Sequence, residues 1–159
     1  MTLIIRRYLP DDRLAVRSLH DAALHAVDAH GGRGPWDDDL DDIPAVYLEP
    51  GGEFLVGCWE GQLVAMGGLR RIDDSSAEIK RMRVHPEFWR RGFALAILTQ
   101  LESRARALGV TTVRLDTTER QTAAQALYRA HGYTEVDRHN VGQFRTIDFE
   151  KTLGGAAGA

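Results

Sequence analysis

The chain has 159 residues, 43% of them hydrophobic, and a net charge of −3, which predicts one ordinary globular domain and argues against a second catalytic domain. No stretch approaches the roughly 18 apolar residues of a membrane span, and Arg6 and Arg7 come too early for a signal peptide, so we expect a cytoplasmic protein without membrane contact. The single cysteine, Cys58, excludes an internal disulfide and a cysteine metal cage.

The first half of the chain begins with a strand and a helix and ends with a hairpin. In chain order, the pattern predicts a strand at 2–8, a helix from Pro10 to about His25, one short helix near 40–48, and strands at 53–60 and 62–72. Glycines and prolines interrupt residues 28–52 too often for a longer element. The last two strands are apolar runs joined by a Glu60-Gly61 turn, which is typical of an antiparallel hairpin.

The second half alternates strands with helices. In chain order, it predicts a strand at 77–84, a helix at 92–108, a strand at 111–117, a helix from Thr118 or Gln121 to His131, and strands at 133–136 and 144–152. Ile79 has the opposite parity to Met82 and Val84, so a bulge is needed to bring all three to the core. The strand-helix-strand unit requires a parallel pair and the hairpins require antiparallel pairs, which predicts an α/β fold with a mixed sheet. We expect a single domain at 1–153 and a flexible tail at 154–159.

Charge is distributed unevenly along the chain. Residues 1–60 contain 12 acidic and 5 basic residues, whereas residues 61–159 contain 11 acidic and 15 basic residues. Basic residues concentrate between Arg70 and Arg91, which suits an anionic ligand, and five aspartates lie between Asp37 and Asp42. The two clusters could bind an anionic and a cationic ligand, or both could be solvated surface charge.

The segment VHPEFWRRGFALAIL begins at Val84 and connects a strand to a helix. Arg90 and Arg91 bring two cations, Gly92 lets a ligand approach the backbone, and Ala94 keeps the first helical turn small. Unpaired N–H groups and the positive end of the helix dipole bind anions at such a helix start. The segment lacks both the G-x-x-x-x-G-K-[ST] and the G-x-G-x-x-G signatures. It predicts an anion-binding helix N-terminus, and the alternative is an Arg-Gly turn that only starts the helix.

Two motifs of the chain resemble the GNAT superfamily of acyl-CoA-dependent N-acetyltransferases. The family's pyrophosphate loop, [QR]-x-x-G-x-[GA], resembles Trp89–Ala94, with Trp89 in place of the usual Gln or Arg. The family's A-x-x-L-Y-x-x-x-G-[FY] helix is matched by Ala124, Leu127, Tyr128, Gly132 and Tyr133. The resemblance covers most of residues 53–150 and implies a GNAT-like fold, with a mixed, mostly antiparallel central sheet and flanking helices.

The resemblance implies acetyl-CoA as the co-substrate. The residues expected to hold its pyrophosphate are Arg90, Arg91, Gly92, Phe93, Ala94 and Leu95. Backbone groups of Met82 and Val84, on the bulged strand, would pair with the pantetheine arm, and a backbone N–H there could polarise the thioester carbonyl. Gln121 stands where relatives often carry Asn and would line the cofactor groove together with Tyr128.

The resemblance also implies that an amine attacks acetyl-CoA directly, without an acyl-enzyme. Amide formation needs a deprotonated amine, a stabilised oxyanion and a proton for the departing thiolate. Tyr128 is the candidate general acid; without the motif it would be interpreted as a core aromatic. Glu78 is the first candidate for the base, directly or through water, and Asp116 is the second. Either carboxylate could instead be a surface partner of Lys80 or Arg114.

The expected acceptor is a primary amine on a small molecule or an amino-acid-like compound. The segment from Asp37 to Asp42 lies where this family commonly shapes the acceptor pocket, and it could attract a cationic acceptor or face water. One alternative is a catalytically idle acyl-CoA-binding module, and another is an enzyme that acetylates protein N-termini or lysines. We expect no metal and no nucleic-acid partner. A homodimer would use the sheet edges near 133–152.

Overall fold

The computed structural model describes residues 2–27 and 35–154. The strands in this part of the chain are β1 (Ile4–Arg7), β2 (Glu53–Trp59), β3 (Gln62–Arg71), β4 (Ser76–Val84), β5 (Thr112–Thr118), β6 (Thr134–Val141) and β7 (Phe144–Thr152). The longer helices are α1 (Arg13–Ala26), α2 (Phe93–Ala107) and α3 (Thr122–Ala130). Short helical segments cover Pro10–Asp12, Pro35–Asp41, Pro44–Leu48 and Pro86–Phe88.

The seven described strands form one sheet in the order β1-β2-β3-β4-β5-β7-β6. Residues 76–79 of β4 pair in parallel with residues 112–115 of β5, and all other neighbouring strands are antiparallel. The parallel pair belongs to the strand-helix-strand unit β4-α2-β5, and β2 and β3 form the predicted hairpin. The prediction of a mixed, mostly antiparallel sheet with flanking helices is therefore confirmed.

Helices pack on both faces of the sheet. On one side, which we call the α2 face, Ile97 and Leu101 of α2 and Tyr128 of α3 join a core with Val113 and Phe149. On the opposite side, the α1 face, the core contains Val16, Leu19, Tyr47, Phe54 and Met66. Each face thus buries the apolar side of its helices, as the helical periodicity of the sequence requires.

The strand β4 carries the predicted bulge. Met66 of β3 pairs with Arg83 and Gly68 with Lys80, so Arg81 and Met82 together lie opposite Gly67. Arg81 has a φ of 62°, a left-handed conformation that accommodates the extra residue.

The bulge has the effect on the core that the sequence predicted. Ile79 and Val84 are buried in the same core, and Met82 packs against it on the α2 face. A Cβ on Gly67 would lie 2.7 Å from the Met82 sulfur and 2.8 Å from Ile97 Cγ2, so a glycine is needed where α2 crosses β3 opposite the bulge.

Beyond the bulge, β4 and β5 separate. Their pairing ends at Ile79 and Leu115. From there β5 continues beside β7 to Thr118, while β4 continues beside β3 to Val84. The ends of two neighbouring parallel strands therefore diverge, and an opening forms between them near the middle of the sheet.

Two details of the fold differ from the sequence predictions. Residues 35–48 contain two short helices instead of one, because Pro35 and Pro44 each begin a helical segment, a position that proline favours. β6 extends to Val141 instead of ending at 136. The sequence did not indicate this length, because β6 is an edge strand with almost all residues exposed and lacks the apolar alternation that marks a half-buried strand.

Residues 28–34 and the predicted tail beyond Gly154 lie outside the described residues. The described helices include none that is both long and apolar enough to cross a membrane.

Candidate active site

A cavity of about 530 Å³ lies where β4 and β5 separate. Residues 79–83 of β4 and 116–118 of β5 form its sides. Further walls come from five other parts of the chain: Leu24 at the end of α1, Asp37, Gln121 with Tyr128, the β6–β7 turn at 141–144, and Thr146 of β7. Its volume lies in the range of small-molecule sites, roughly 300–1,000 Å³.

Tyr128 of α3 lines this cavity and is 4% exposed. Its ring packs against Tyr133 and Phe149, with centroid distances of 5.8 and 5.9 Å, which hold the side chain in place. Burial raises the pKa of Tyr128 to about 12, so the phenol is protonated at neutral pH. Its hydroxyl forms no hydrogen bond with any described residue. A buried, protonated and unpaired phenol in a cavity can donate a proton to a bound molecule.

Arg83 lines the same cavity from β4. Its Nε donates to Nδ1 of His20 at 3.4 Å, and its Nη1 donates to the Met82 carbonyl at 2.8 Å. Among the described residues, no carboxylate forms an ion pair with it. Burial, and then the charge of Arg81, lower the pKa of Arg83, but a guanidinium stays protonated at neutral pH. Arg83 therefore brings a positive charge to the cavity wall.

The neighbouring Arg81 is paired with the acidic segment. Its Nε and Nη2 lie 2.9 and 2.5 Å from the two oxygens of Asp39, and its Nη1 lies 3.3 Å from Asp37. The hydroxyl of Tyr47 also donates to Asp39, at 2.6 Å, and Asp37 lies 3.2 Å from Nε2 of His20. Asp37 and Asp39 thus join the 35–41 segment to the bulged strand, a structural role that neither sequence interpretation of the acidic stretch included.

The two candidate bases occupy different places. Asp116 lines the cavity, and its charge acts on both Tyr128 and Arg83. Glu78 and Asp116 both border a second cavity, of about 460 Å³, but Glu78 does not line the first. Its carboxylate lies 3.9 Å from Arg70 and 3.9 Å from Lys80. Of the two carboxylates, only Asp116 shares a cavity with Tyr128.

The start of α2 has the features of an anion site. Arg90 and Gly92 adopt left-handed conformations, with φ of 64° and 81°, and both are exposed. A Cβ on Gly92 would meet no atom within 4 Å, so the backbone is open to a ligand. The N–H groups of Phe93, Ala94 and Leu95 belong to the first helical turn, where no intrahelical acceptor exists. The Phe93 side chain is buried, so this residue can contribute only its backbone.

Side chains of the same loop fix its shape. The Arg91 guanidinium lies over the Phe88 ring, 5.0 Å from its centroid. The indole N–H of Trp89 donates to the Val84 carbonyl at 2.8 Å. Trp89, which departs from the family motif, therefore ties the loop to the end of β4.

Backbone groups at the end of β4 face the opening. The N–H of His85 donates to Val64 of β3 at 2.8 Å, and successive residues of a strand point in opposite directions. The N–H and C=O of Val84 therefore point away from β3; the carbonyl accepts the Trp89 indole N–H, and the N–H faces the opening. Gln121 lines the cavity with Tyr128, but it precedes α3, and its Oε1 accepts hydrogen bonds from Thr118 N–H and Oγ1 at 3.0 and 3.1 Å. Gln121 therefore reaches the cavity from the residue before α3, whereas Tyr128 reaches it from within the helix.

Sequence reasoning did not identify several residues that the structure brings to the cavity. These are Leu24, Thr117, the β6–β7 turn and Arg83. From the sequence, Arg83 was only one member of a basic cluster. The bulge changes the parity of the strand and so decides the face on which Arg83 lies. Thr117 Oγ1 is buried without a hydrogen-bond partner in the described structure. The β6–β7 turn could have been placed at the cavity only by predicting how the β6–β7 hairpin packs in the folded protein.

The model of the acetyltransferase (GNAT) family matches residues 15–133, which is most of the chain. The chain belongs to the GNAT family of acetyltransferases. The resemblance to the GNAT superfamily is thereby confirmed.

Two sequence relatives illustrate the GNAT match. The chain is similar to N-acetylaspartate synthetase of Danio rerio, with 32% identity over 126 residues that cover 78% of this chain and 40% of that protein. It is 27% identical over 139 residues to the uncharacterized N-acetyltransferase YjgM of Escherichia coli (strain K12), covering 84% of this chain and 83% of that protein. The chain therefore spans less than half of the first relative and most of the second.

Solved GNAT structures agree with the fold. The acetyltransferase of Staphylococcus aureus Mu50 has a TM-score of 0.88 at 18% identity, covering 96% of this chain and 100% of that chain. The yncA protein of Salmonella typhimurium, solved with acetyl-CoA, has a TM-score of 0.77 at 19% identity, covering 100% of this chain and 99% of that chain. At these identities the similarity shows the GNAT fold.

Three side chains of types that can bind a metal ion lie close together outside the Tyr128 cavity. Asp137, His139 and Asp148 place one ligand atom each within 4.8 Å of one another. His139 Nδ1 is 3.4 Å from Asp148 and 3.8 Å from Asp137, so the three side chains form a charge cluster on the exposed β6–β7 surface. We assign no metal to this GNAT chain, and the absence of a metal requirement stays a prediction.

Proposed function

We propose that the chain is an N-acetyltransferase that transfers the acetyl group of acetyl-CoA to the primary amine of a small molecule. One observation carries the proposal: the protonated, unpaired hydroxyl of Tyr128 lines a cavity where β4 and β5 diverge. Membership of the GNAT family supports the reaction class. The complexes of yncA with acetyl-CoA and of a Thermoplasma acidophilum PaiA N-acetyltransferase with coenzyme A support the co-substrate.

The chain offers acetyl-CoA two sets of backbone groups. The first helical turn of α2, with N–H groups at Phe93, Ala94 and Leu95, would hold the pyrophosphate, and Arg90 and Arg91 would add positive charge. The Val84 N–H and the bulge at Met82 would pair with the pantetheine amides in the opening between β4 and β5. This path leads from the exposed loop at Gly92 to the cavity at Tyr128 and would place the thioester there.

The chemistry then needs three contributions from the chain. The amine nitrogen attacks the thioester carbonyl carbon, the new C–N bond forms, and the C–S bond breaks as the oxyanion collapses. A backbone N–H at the bulge would stabilise that oxyanion. Tyr128 would give its phenolic proton to the departing thiolate, and its raised pKa keeps that proton available across the physiological range.

We assign the base role to Asp116 in preference to Glu78. Asp116 lines the cavity, whereas Glu78 lies near Arg70 and Lys80 beside the second cavity. A general base must reach the proton it removes, directly or through one water molecule. Asp116 would accept the amine proton, and the proton lost from Tyr128 is restored from solvent after CoA leaves.

The position of the single cysteine supports direct attack of the amine on acetyl-CoA. The only cysteine of the chain, Cys58, lies in β2 and is not among the lining residues. A thioester intermediate on this chain would therefore have to form away from Tyr128. Transfer straight from acetyl-CoA to the amine requires no such step.

A thiol-release assay tests the proposal. The chain is incubated with acetyl-CoA and a panel of amines that includes amino acids, polyamines, arylalkylamines, and peptides with free N-termini or lysines. We expect CoA release with at least one small amine, together with the N-acetyl product by mass spectrometry. Activity confined to peptides would instead indicate a protein acetyltransferase. Silence across the panel, with acetyl-CoA binding confirmed by thermal shift, would contradict the proposal and favour an idle acyl-CoA-binding module.

A further inference from the structure

Within residues 2–27 and 35–154, Arg83 lines the cavity without forming an ion pair with a carboxylate. Two of its five N–H groups donate to His20 and to the Met82 carbonyl, which leaves three without a partner among the described residues. Asp37 and Asp116 attract Arg83 only over distances longer than an ion pair. A partly buried charge without a close counterion is well placed to bind an anion that enters the cavity.

The neighbouring arginine provides a comparison within the same strand. Arg81 holds both oxygens of Asp39 and lies 3.3 Å from Asp37, so its charge is compensated by the protein. Arg81 and Arg83 are separated by one residue and both line the cavity. The acidic segment thus neutralises one arginine and leaves the other available.

The position of Arg83 argues against a role in binding the phosphates of CoA. Arg83 contacts His20 of α1, on the α1 face. The start of α2, where the pyrophosphate would bind, belongs to the opposite face, and Met82 packs on that side. The anion that Arg83 binds therefore belongs to the acceptor.

The charges around the thioester position match a zwitterion. Arg83 acts electrostatically on Tyr128, so the anion that it binds would lie near the reacting atoms. Asp116, the opposite charge, lines the same cavity and would face the ammonium group. An α-amino acid carries an amine and a carboxylate on one carbon, so one small molecule would present both charges to the two groups that line this cavity.

We propose that the acceptor is a free amino acid and that Arg83 binds its carboxylate. The inference rests on the proposed acetyltransferase function and specifies the acceptor of that same site. Arg83 is a binding residue in this account, since it holds the acceptor while Tyr128 and Asp116 move protons.

The first test compares matched acceptors with the unchanged protein. Each of the 20 common α-amino acids is assayed for CoA release beside its amide and its decarboxylated amine. We expect the accepted amino acid to have kcat/KM about 10- to 100-fold above both neutral analogues, the range for a charge-assisted hydrogen bond. Equal or better use of the neutral analogues would overturn the inference while leaving the acetyltransferase proposal in place.

The second test uses variants. Arg83→Gln should raise the acceptor KM by about 10- to 100-fold and remove the preference for the carboxylate, with the KM for acetyl-CoA unchanged. Arg83→Lys, which keeps the charge, should retain part of the preference. Arg114→Gln is the matched control, because Arg114 is an exposed arginine of the adjacent strand and does not line the Tyr128 cavity. A raised KM for acetyl-CoA in Arg83→Gln, with the acceptor KM unchanged, would overturn the inference.

A binding measurement separates this inference from the proposed function. Amino acids and their amides are titrated into the protein with CoA present, and the thermal unfolding midpoint is followed. We expect an amino acid to stabilise the unchanged protein more than its amide, and Arg83→Gln to lose the difference. This result holds even if no amine is acetylated, in which case only the proposed function fails. Equal stabilisation by acids and amides in the unchanged protein would overturn the inference.

Discussion

Three titratable side chains give the cavity a defined charge pattern at the residue scale. Tyr128 is neutral because burial raises its pKa, and Arg83 is positive because a guanidinium cannot lose its proton near neutral pH. Asp116 adds the negative charge. The pattern supplies a proton donor, an anion-binding group and a proton acceptor in one space, which is what amide formation from an amino acid requires.

The assignment of Asp116 predicts opposite outcomes for the two candidate bases. Asp116→Asn keeps the shape of the side chain and removes its basicity, so we expect kcat/KM for the amine to fall by about 10²–10⁴-fold. Glu78→Gln, the matched substitution at the other candidate, should change kcat/KM by less than about 3-fold, because Glu78 does not line the Tyr128 cavity and forms only long, partly exposed ion pairs with Arg70 and Lys80. Steady-state rates at saturating acetyl-CoA provide the measurement. A large loss in Glu78→Gln with full activity in Asp116→Asn would return the role to Glu78.

At the scale of elements, the acidic segment holds the bulged strand. Asp39 binds Arg81 through two hydrogen bonds and accepts a third from Tyr47, and both charged side chains are largely buried, at 12% and 15% exposure. Burial raises the pKa of Asp39, but the hydrogen bonds and charge of Arg81 outweigh it, so the pKa lies below the ordinary value. The segment therefore fixes the wall of the cavity through a charged contact between two parts of the chain.

Loss of the Asp39 contact should destabilise the fold. Asp39→Asn removes the carboxylate charge that holds Arg81 through two hydrogen bonds, and we expect the free energy of unfolding to fall by about 3 kcal/mol, or Tm by about 10 °C. A carboxyl group whose pKa is lower in the folded than in the unfolded protein stabilises the fold at any pH above its unfolded pKa. Both pH 5 and pH 8 lie above that value, so the loss of stability in Asp39→Asn should be equal at the two. Asp38→Asn, at an exposed neighbour, is the control and should change Tm by less than about 2 °C. Equal Tm values for the two variants in thermal unfolding would contradict this role.

For the molecule as a whole, periodicity and motifs predicted the sheet, the helices and the start of α2. These features depend on local sequence, and the parity of Ile79 against Met82 even predicted the bulge of β4. The extent of β6 was missed, because an exposed edge strand has no apolar pattern. The side chains that line the cavity were harder to predict, since β4, β5, α1, α3 and the β6–β7 turn meet there only after folding.

The uneven charge of the chain has a structural role. The sequence suggested that the acidic half meets the acceptor and the basic half meets the cofactor, and Asp37 of the acidic half does line the cavity. Asp37 and Asp39 also pair with Arg81 of the basic half, so the two clusters partly neutralise each other. Arg83 is the basic residue that this pairing leaves over in the cavity. Sequence position alone could not distinguish Arg81 from Arg83, because the carboxylates that pair with Arg81 lie more than forty residues away along the chain.

The most direct test of the central claim is the rate of acetyl transfer by Tyr128→Phe, which removes one oxygen and preserves the ring that packs on Tyr133 and Phe149. With the best amine of the panel, we predict a kcat about 10²–10⁴-fold below that of the unchanged protein, with the KM for acetyl-CoA preserved. A kcat within about 3-fold of the unchanged protein would contradict the claim that the Tyr128 cavity is the site of acetyl transfer.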